Sequence, residues 1–243
     1  MKFKDTWKIG KLVHIDKSAE FSCENIDIGD GCFIAHRAII EGQSFKMGKN
    51  GFIGFEAYID GRHGITCGDN VCIGPRAMIY THAHWNSILD GYYCAHEPVV
   101  LEDDVWIGAR AIIMPSVTIG KGSVVTVNSV VMHSLPSHVL ATGNPVEIVI
   151  KDYPKKPTLN RRRQIIKQLC DDLRVFHIEY IPETDSLCYH HFDYPSEYTF
   201  FDLTNKKIQG KQNNITDEIR EVLRKRGIKF EGLWRYKARK ENP

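Results

Sequence analysis

The segment MIYTHAHWN (78–86) carries two histidines one residue apart, His82 and His84, with Trp85 directly behind them. An imidazole titrates near about pH 6.5, so it is poised to take a proton from a hydroxyl or an amine. His82 is thus a candidate general base, with His84 as the other choice. Two histidines so spaced also suit a shared metal, and His36, His63, His96 and His133 occur elsewhere in the chain. A structural role is the third reading, and the pattern by itself leaves all three open. Asp90 and Glu97 follow in the next stretch, and Asp60 precedes it. Any of these, or a backbone carbonyl, would serve to orient an imidazole.

These histidines stand where a repeat breaks. Aliphatic residues recur every six positions, most clearly at Leu101, Ile107, Ile113, Ile119, Val125 and Val131. Earlier runs are Cys67, Ile73, Ile79; Met47, Ile53, Ile59; Ile28, Ile34, Ile40; and a weaker Ile9, Ile15, Phe21. A second small or β-branched residue often follows four positions later, as at Val71, Ala77, Val105, Ala111, Val117 and Ser123. A period of six fits neither a helix nor an ordinary half-buried strand. Three units close a triangular coil of short strands, with the aliphatic residues pointing inward and stacking from coil to coil. The expected fold is all-β, a parallel β-helix over residues 1–154. Asn50, Gly51, Asn70 and Asn128 suit strained corners. Residues 85–100 read as an extended loop inserted into the repeat, of the kind that often forms a binding surface.

Residues 155–243 read as a small α+β domain. A helix is expected over 158–175, capped by Asn160 or Thr158, and a strand over 176–181. One or two strands follow in 186–203, then a capped helix over 216–227 stopping at Gly227, and a strand over 228–238. The aromatic side chains of this region read as a core rather than as a ligand platform.

The chain has 243 residues, 42% hydrophobic and 26% charged. Neither disorder nor a membrane span is expected. The net charge of +2 is too weak to argue for nucleic acid. The basic tract 151–164 reads as a solvated linker and helix start, or as a surface that meets phosphates. Seven cysteines without CxxC spacing, and a start lacking a secretory signal, fit a reducing, cytoplasmic setting.

The stretch DDVWIGARAIIMPSVTIGKGSVVTVNSVV (103–131), followed by ATGNPVEIVIK (141–151), resembles the hexapeptide-repeat acyltransferases. The resemblance is closest to the galactoside, maltose and lipopolysaccharide O-acetyltransferase branch and spans roughly residues 25–152. It implies a left-handed parallel β-helix, acetyl-CoA as co-substrate and a homotrimer with active sites between subunits. It also implies a catalytic histidine 24 residues ahead of the VWIG tryptophan, the interval from His82 to Trp106. On the same resemblance Trp106, Gly108 and Ala109 meet the pantetheine arm and thioester, and Val127 and Asn128 lie close to the cofactor. Met132 and His133 stand where the family often has Thr-Lys near the nucleotide, a departure that puts the cofactor's phosphate contacts in doubt. Lys151, Lys155 or the arginines at 161–163 are candidates to replace that charge. Tyr58, Asp60, His84, Trp85 and Asp90 are the expected walls of the acceptor pocket. The implied reaction is O-acetylation of a sugar or a cell-surface polysaccharide precursor. The alternatives are N-acetylation of a nucleotide-linked amino sugar, a non-catalytic β-helix scaffold, and a metal-dependent carbonic-anhydrase-like member of the wider repeat class.

Overall fold

The computed structural model describes residues 4–191 and 197–230. Two compact units divide the chain, one ending at Lys155 and the other beginning at Lys156.

The first unit is a left-handed parallel β-helix. Its short strands stack in parallel register from coil to coil. Ile53 pairs with Ile73, Ile73 with Ile107, and Ile107 with Val125. Beyond the first coil, where Ile9, Ile15 and Phe21 are only partly buried, the inward residues are sealed from solvent: Ile34, Ile53, Ile73, Ile107 and Val125 are all 0% exposed. Each such side chain contributes about 1.5–3 kcal/mol over its exposed state. Many of the strands hold only two residues, so this stacked column supplies the cohesion that isolated short strands lack.

The corners explain the polar members of the repeat. Asn50, Asn70 and Asn128 adopt φ of 56°, 58° and 57°, the left-handed region that asparagine tolerates better than most residues. Gly51 does not share that conformation. It is buried against the side chain of Met47, so it is small for want of space. Aspartates brace successive coils by accepting backbone N–H groups: Asp30 from Lys11, Asp69 from Lys49 and Asp103 from Asp69.

The insertion starts earlier, ends earlier and is more structured than the loop expected over 85–100. It opens with a two-residue strand, His82–Ala83, paired antiparallel to Ala95–His96. Between them lies a 3-10 turn, Ile88–Asp90, ended by Gly91 at φ 84°. The β-helix resumes at Val99, which pairs with Ile65 of the preceding coil. Residues 99 and 100 therefore belong to a β-helix strand, Val99 in the core and Val100 half-buried.

The second unit holds two helices and a four-stranded antiparallel sheet. Helix α1 runs Leu159–Asp172 and is capped by Thr158, whose side chain accepts the N–H of Arg161; Asn160 lies inside the helix instead. Helix α2 runs Asn214–Lys225, starting two residues before the expected position. Asn213 is its cap, accepting the N–H of Thr216, and the Thr216 hydroxyl oxygen accepts the cap's own N–H. The sheet order is Ile178–Ile181, Ser186–His190, Tyr198–Asp202 and Lys207–Gly210, the last strand being unforeseen. Leu173, Leu187, Phe201, Ile219 and Leu223 form its core at 0% exposure. The strand expected at 228–238 lies largely outside the described residues, and residues 228–230 are not in a strand. Among the described residues, no helix is long and apolar enough to cross a membrane.

Candidate active site

The repeat positions His82 by first departing from its own rule. Strand Met78–Tyr80 continues the hexapeptide register, pairing with Tyr58–Asp60 one coil earlier, so Tyr80 lies opposite Asp60. Ile79 fills the core in the ordinary way. The next residues do not, because the buried positions here are polar: Asp60 and Thr81 are both 0% exposed.

Thr81 explains how polar groups are tolerated inside. Its hydroxyl donates to the carbonyl oxygen of Asp60 at 2.8 Å and accepts the N–H of His63 at 3.0 Å. Its own carbonyl oxygen accepts the N–H of Glu97 at 3.0 Å, tying the far end of the insertion to the coil. One side chain thus braces Asp60 and His63, and its backbone holds the returning strand.

Asp60 in turn faces His82. Nδ1 of His82 lies 2.5 Å from Oδ2 of Asp60, and the imidazole is 21% exposed. The contact lies off the line of a straight hydrogen bond, and no other polar group satisfies either atom. Proximity, rather than direction, marks the pair. The other carboxylate oxygen accepts the N–H of Arg62 at 3.1 Å. A buried carboxylate of this kind needs a partner, and both the His82 ring and the Arg62 guanidinium, whose Nε lies 3.5 Å from Oδ1, stand against it. With Nδ1 turned to Asp60, Nε2 is the ring nitrogen left for a reacting group.

Asp60 is therefore misassigned as a wall of the acceptor pocket. It has no exposed surface, and its place is behind the imidazole. Neither Asp90 nor Glu97 takes that role. Asp90 sits exposed on the 3-10 turn, and Glu97 serves through its backbone. The 20-residue step from Asp60 to Tyr80 was the available clue, since a coil here is close to that length.

A second cluster surrounds the pair. The His84 ring lies 5.6 Å from that of His82 and 4.6 Å from that of His96. Nδ1 of His96 is 3.1 Å from Nε2 of His63, so one ring donates and the other accepts. Desolvation, then repulsion from His84, His63 and His82, holds His96 below the ordinary histidine pKa. His63 and His96 were visible in the sequence only as scattered histidines; the hairpin and the preceding coil bring them together. Among the described residues, no group of three or more His, Cys, Asp or Glu side chains is arranged to hold a metal ion.

The remaining expected wall residues differ in character. The hydroxyl of Tyr58 donates to Oε1 of Glu41 at 2.5 Å, and burial with that hydrogen bond pushes its pKa upward. His84 and Trp85 are exposed, Trp85 by 92%. Leu89 beside it in the insertion is 93% exposed, which leaves an uncovered apolar edge.

The residues expected near the cofactor lie in later coils. Trp106 is 53% exposed on its strand, with its backbone paired between Cys72 and Val124. Gly108 packs so closely that a Cβ would stand 2.6 Å from the backbone of Thr126 and Val127. Its N–H donates to the carbonyl of Val125, whereas no backbone bond engages the N–H of Ala109 among the described residues. Asn128 donates its N–H to the carbonyl of Ala109, placing Val127 and Asn128 one coil away. Val127 and Met132 are 61% and 52% exposed; His133 is exposed, as is Lys151 at the end of the edge strand Val146–Lys151.

Residues 98–133 match the family described as bacterial transferase hexapeptide (six repeats). The chain is 35% identical over 150 residues to a putative acetyltransferase of Saccharomyces cerevisiae, covering 59% of this chain and 66% of that protein. It is 30% identical over 110 residues to the galactoside O-acetyltransferase of Escherichia coli, covering 44% of this chain and 54% of that one. It thus spans between about half and two thirds of these curated relatives. Among solved structures it is similar to AntD, an N-acyltransferase from Bacillus cereus, in complex with dTDP and 3-hydroxybutyryl-CoA. The TM-score is 0.54 at 26% identity, over 70% of this chain and 91% of that one. A variant of the same enzyme is in complex with dTDP-4-amino-4,6-dideoxyglucose and coenzyme A.

Proposed function

The chain belongs to the hexapeptide-repeat acyltransferase family, and from that premise we propose that it transfers an acetyl group from acetyl-CoA to a sugar carried on a nucleotide. The observation that carries this reading is the buried Asp60 set against Nδ1 of His82, which leaves Nε2 as a general base. The favoured acceptor atom is an amine. The support is the likeness to AntD, an N-acyltransferase in complex with a nucleotide-linked amino sugar. Transfer to a hydroxyl is the second reading, favoured by the match to the galactoside O-acetyltransferase.

Nε2 of His82 takes a proton from the acceptor as its nitrogen, or oxygen, attacks the thioester carbonyl. The imidazolium that forms is stabilised by Asp60. As the carbonyl oxygen gains charge it needs a donor. Gly108 is removed from that role because its N–H is committed to Val125, so the role passes to the N–H of Ala109. The C–S bond then breaks, and the coenzyme A sulfur leaves and takes up a proton as the thiol. Trp106, Val127 and Met132 offer exposed apolar surface for the pantetheine arm. His84 and Trp85 face the acceptor side.

We read the protein as a homotrimer in which a neighbouring subunit covers the insertion, since Trp85 and Leu89 are otherwise bare. The seven cysteines, none in CxxC spacing, accord with a reducing, cytoplasmic setting.

The test is release of coenzyme A thiol from acetyl-CoA over a panel of sugars and nucleotide-linked amino sugars, for wild type and His82→Ala. Acceptor-dependent release that falls by about 10²–10⁴-fold in the variant is the expected result. Equal rates in the two proteins would remove His82 as base. The acceptor that responds separates amine from hydroxyl transfer.

A further inference from the structure

The second unit contains a cavity of about 300 Å³, at the small end of the range for ligand sites. Nothing in the proposed transfer uses it. Its floor is apolar: Ile166, Leu169 and Leu203 are 5–6% exposed. Its rim brings together three cations, Arg162 from α1, Lys206 from the turn before Lys207–Gly210, and Arg226 just past α2.

Two of these charges are already balanced. Arg162 pairs with Asp185. Nη2 of Arg226 lies 2.5 Å from Oδ2 of Asp172. Lys206 is different. Its ammonium donates to the carbonyl of Leu203, and among the described residues no carboxylate forms an ion pair with it. An ammonium has three donors, so this one has capacity left. Burial, then the nearby Arg162, holds its pKa below the ordinary lysine value, against the opposing pull of Asp185 and Asp202. With no ion pair of its own among the described residues, the ammonium can take one carboxylate. A phosphate dianion would overbalance the site, and a neutral ligand would leave the amine unanswered.

We propose that this cavity binds a small monocarboxylate with an apolar body, the carboxylate on Lys206 and the hydrocarbon on Ile166, Leu169 and Leu203. The volume, roughly ten waters at ~30 Å³ each, suits an acid of about six carbons. Charge selects the head group, and the sealed aliphatic floor selects the tail.

The experiment is calorimetric titration of the full chain with hexanoate, hexanol and inorganic phosphate, on wild type, Lys206→Met and Lys167→Met. Lys167 lies on α1 but does not line the cavity, and it controls for loss of surface charge. Hexanoate is expected to bind wild type and Lys167→Met alike, and Lys206→Met at least about tenfold more weakly. Hexanol and phosphate should each fail to displace it. Thermal melting confirms that each variant is folded, and Lys206→Gln replaces Lys206→Met should the latter not fold. Absence of binding at millimolar hexanoate overturns the proposal, as does unchanged affinity in the folded Lys206 variant. Equal binding of hexanol would reduce the site to a plain apolar cavity, and displacement by phosphate would reduce it to a general anion site; either result also overturns it.

Discussion

The coils from Leu101 to Val131 and the interrupted coil from Asp60 to Val99 obey the same geometry and opposite chemistry. In the first region each inward hexapeptide residue is aliphatic and sealed, and the buried serines answer backbone groups: Ser123 donates to Pro136 and accepts from Val139. In the second region the sealed positions include Asp60 and Thr81, and the polar groups point toward a half-open histidine. The regular region owes its rigidity to repetition. The interrupted one borrows that rigidity from coils on either side, which lets it hold a buried carboxylate that a flexible loop would release to water.

The largest effect that separates the two regions is expected from Asp60→Asn. The amide keeps the volume but removes the charge that stabilises the imidazolium, and it favours the wrong tautomer of His82. Loss of kcat by about 10²–10⁴-fold is expected, with a melting temperature near that of wild type. If turnover survives, the pair has no part in catalysis.

Ile107→Ala addresses the regular region in the opposite sense. It leaves a cavity in a column that is 0% exposed on this residue, and about 2–5 kcal/mol of stability should be lost in chemical denaturation. The kcat of the remaining folded protein should stay close to wild type. A large kcat defect would mean that the columns and the site are not separable.

Thr81→Val lies between these two. It strips the hydroxyl that bonds Asp60 and His63 while keeping the shape. The unpaired carbonyl and N–H should cost about 1–3 kcal/mol. The kcat should fall more than KM rises, because the base is displaced while the acceptor walls remain. Equal stability of wild type and variant would mean that water replaces the hydroxyl.

The smallest effect is on pH. The folded protein holds His96 below its ordinary pKa, so it favours the neutral ring. Between the two pKa values the unfolded chain binds more protons, and the stabilising effect is present above the unfolded value of about 6.5 and fades as pH falls through the lower folded one. His96→Gln should therefore narrow the gap in melting temperature between neutral and mildly acidic buffer. An unchanged gap would assign the acid sensitivity to other groups.

The six-residue period is enough to dictate the β-helix, because only a triangular coil returns a residue to the same inward line at that interval. Ile53, Ile73 and Ile107 follow from it directly. The break at His82 was equally plain, since two histidines and a tryptophan cannot continue an aliphatic column. Helix starts were less so: Asn213 and Asn160 are both asparagines before a helical pattern, and only local backbone geometry made one of them a cap. The partner of His82 was narrowed to three carboxylates, and only the coil length hinted at which. Asp60, Asp90 and Glu97 are alike as residues, and they differ in which one the coil buries. That choice depends on the register of strand Tyr58–Gly61 against Met78–Tyr80, and on Thr81 answering the backbone beside Asp60. Periodicity is a local property of the chain and survives in its sequence. The identity of a buried charge pair is set by packing between coils, so it comes into being only when they close on one another.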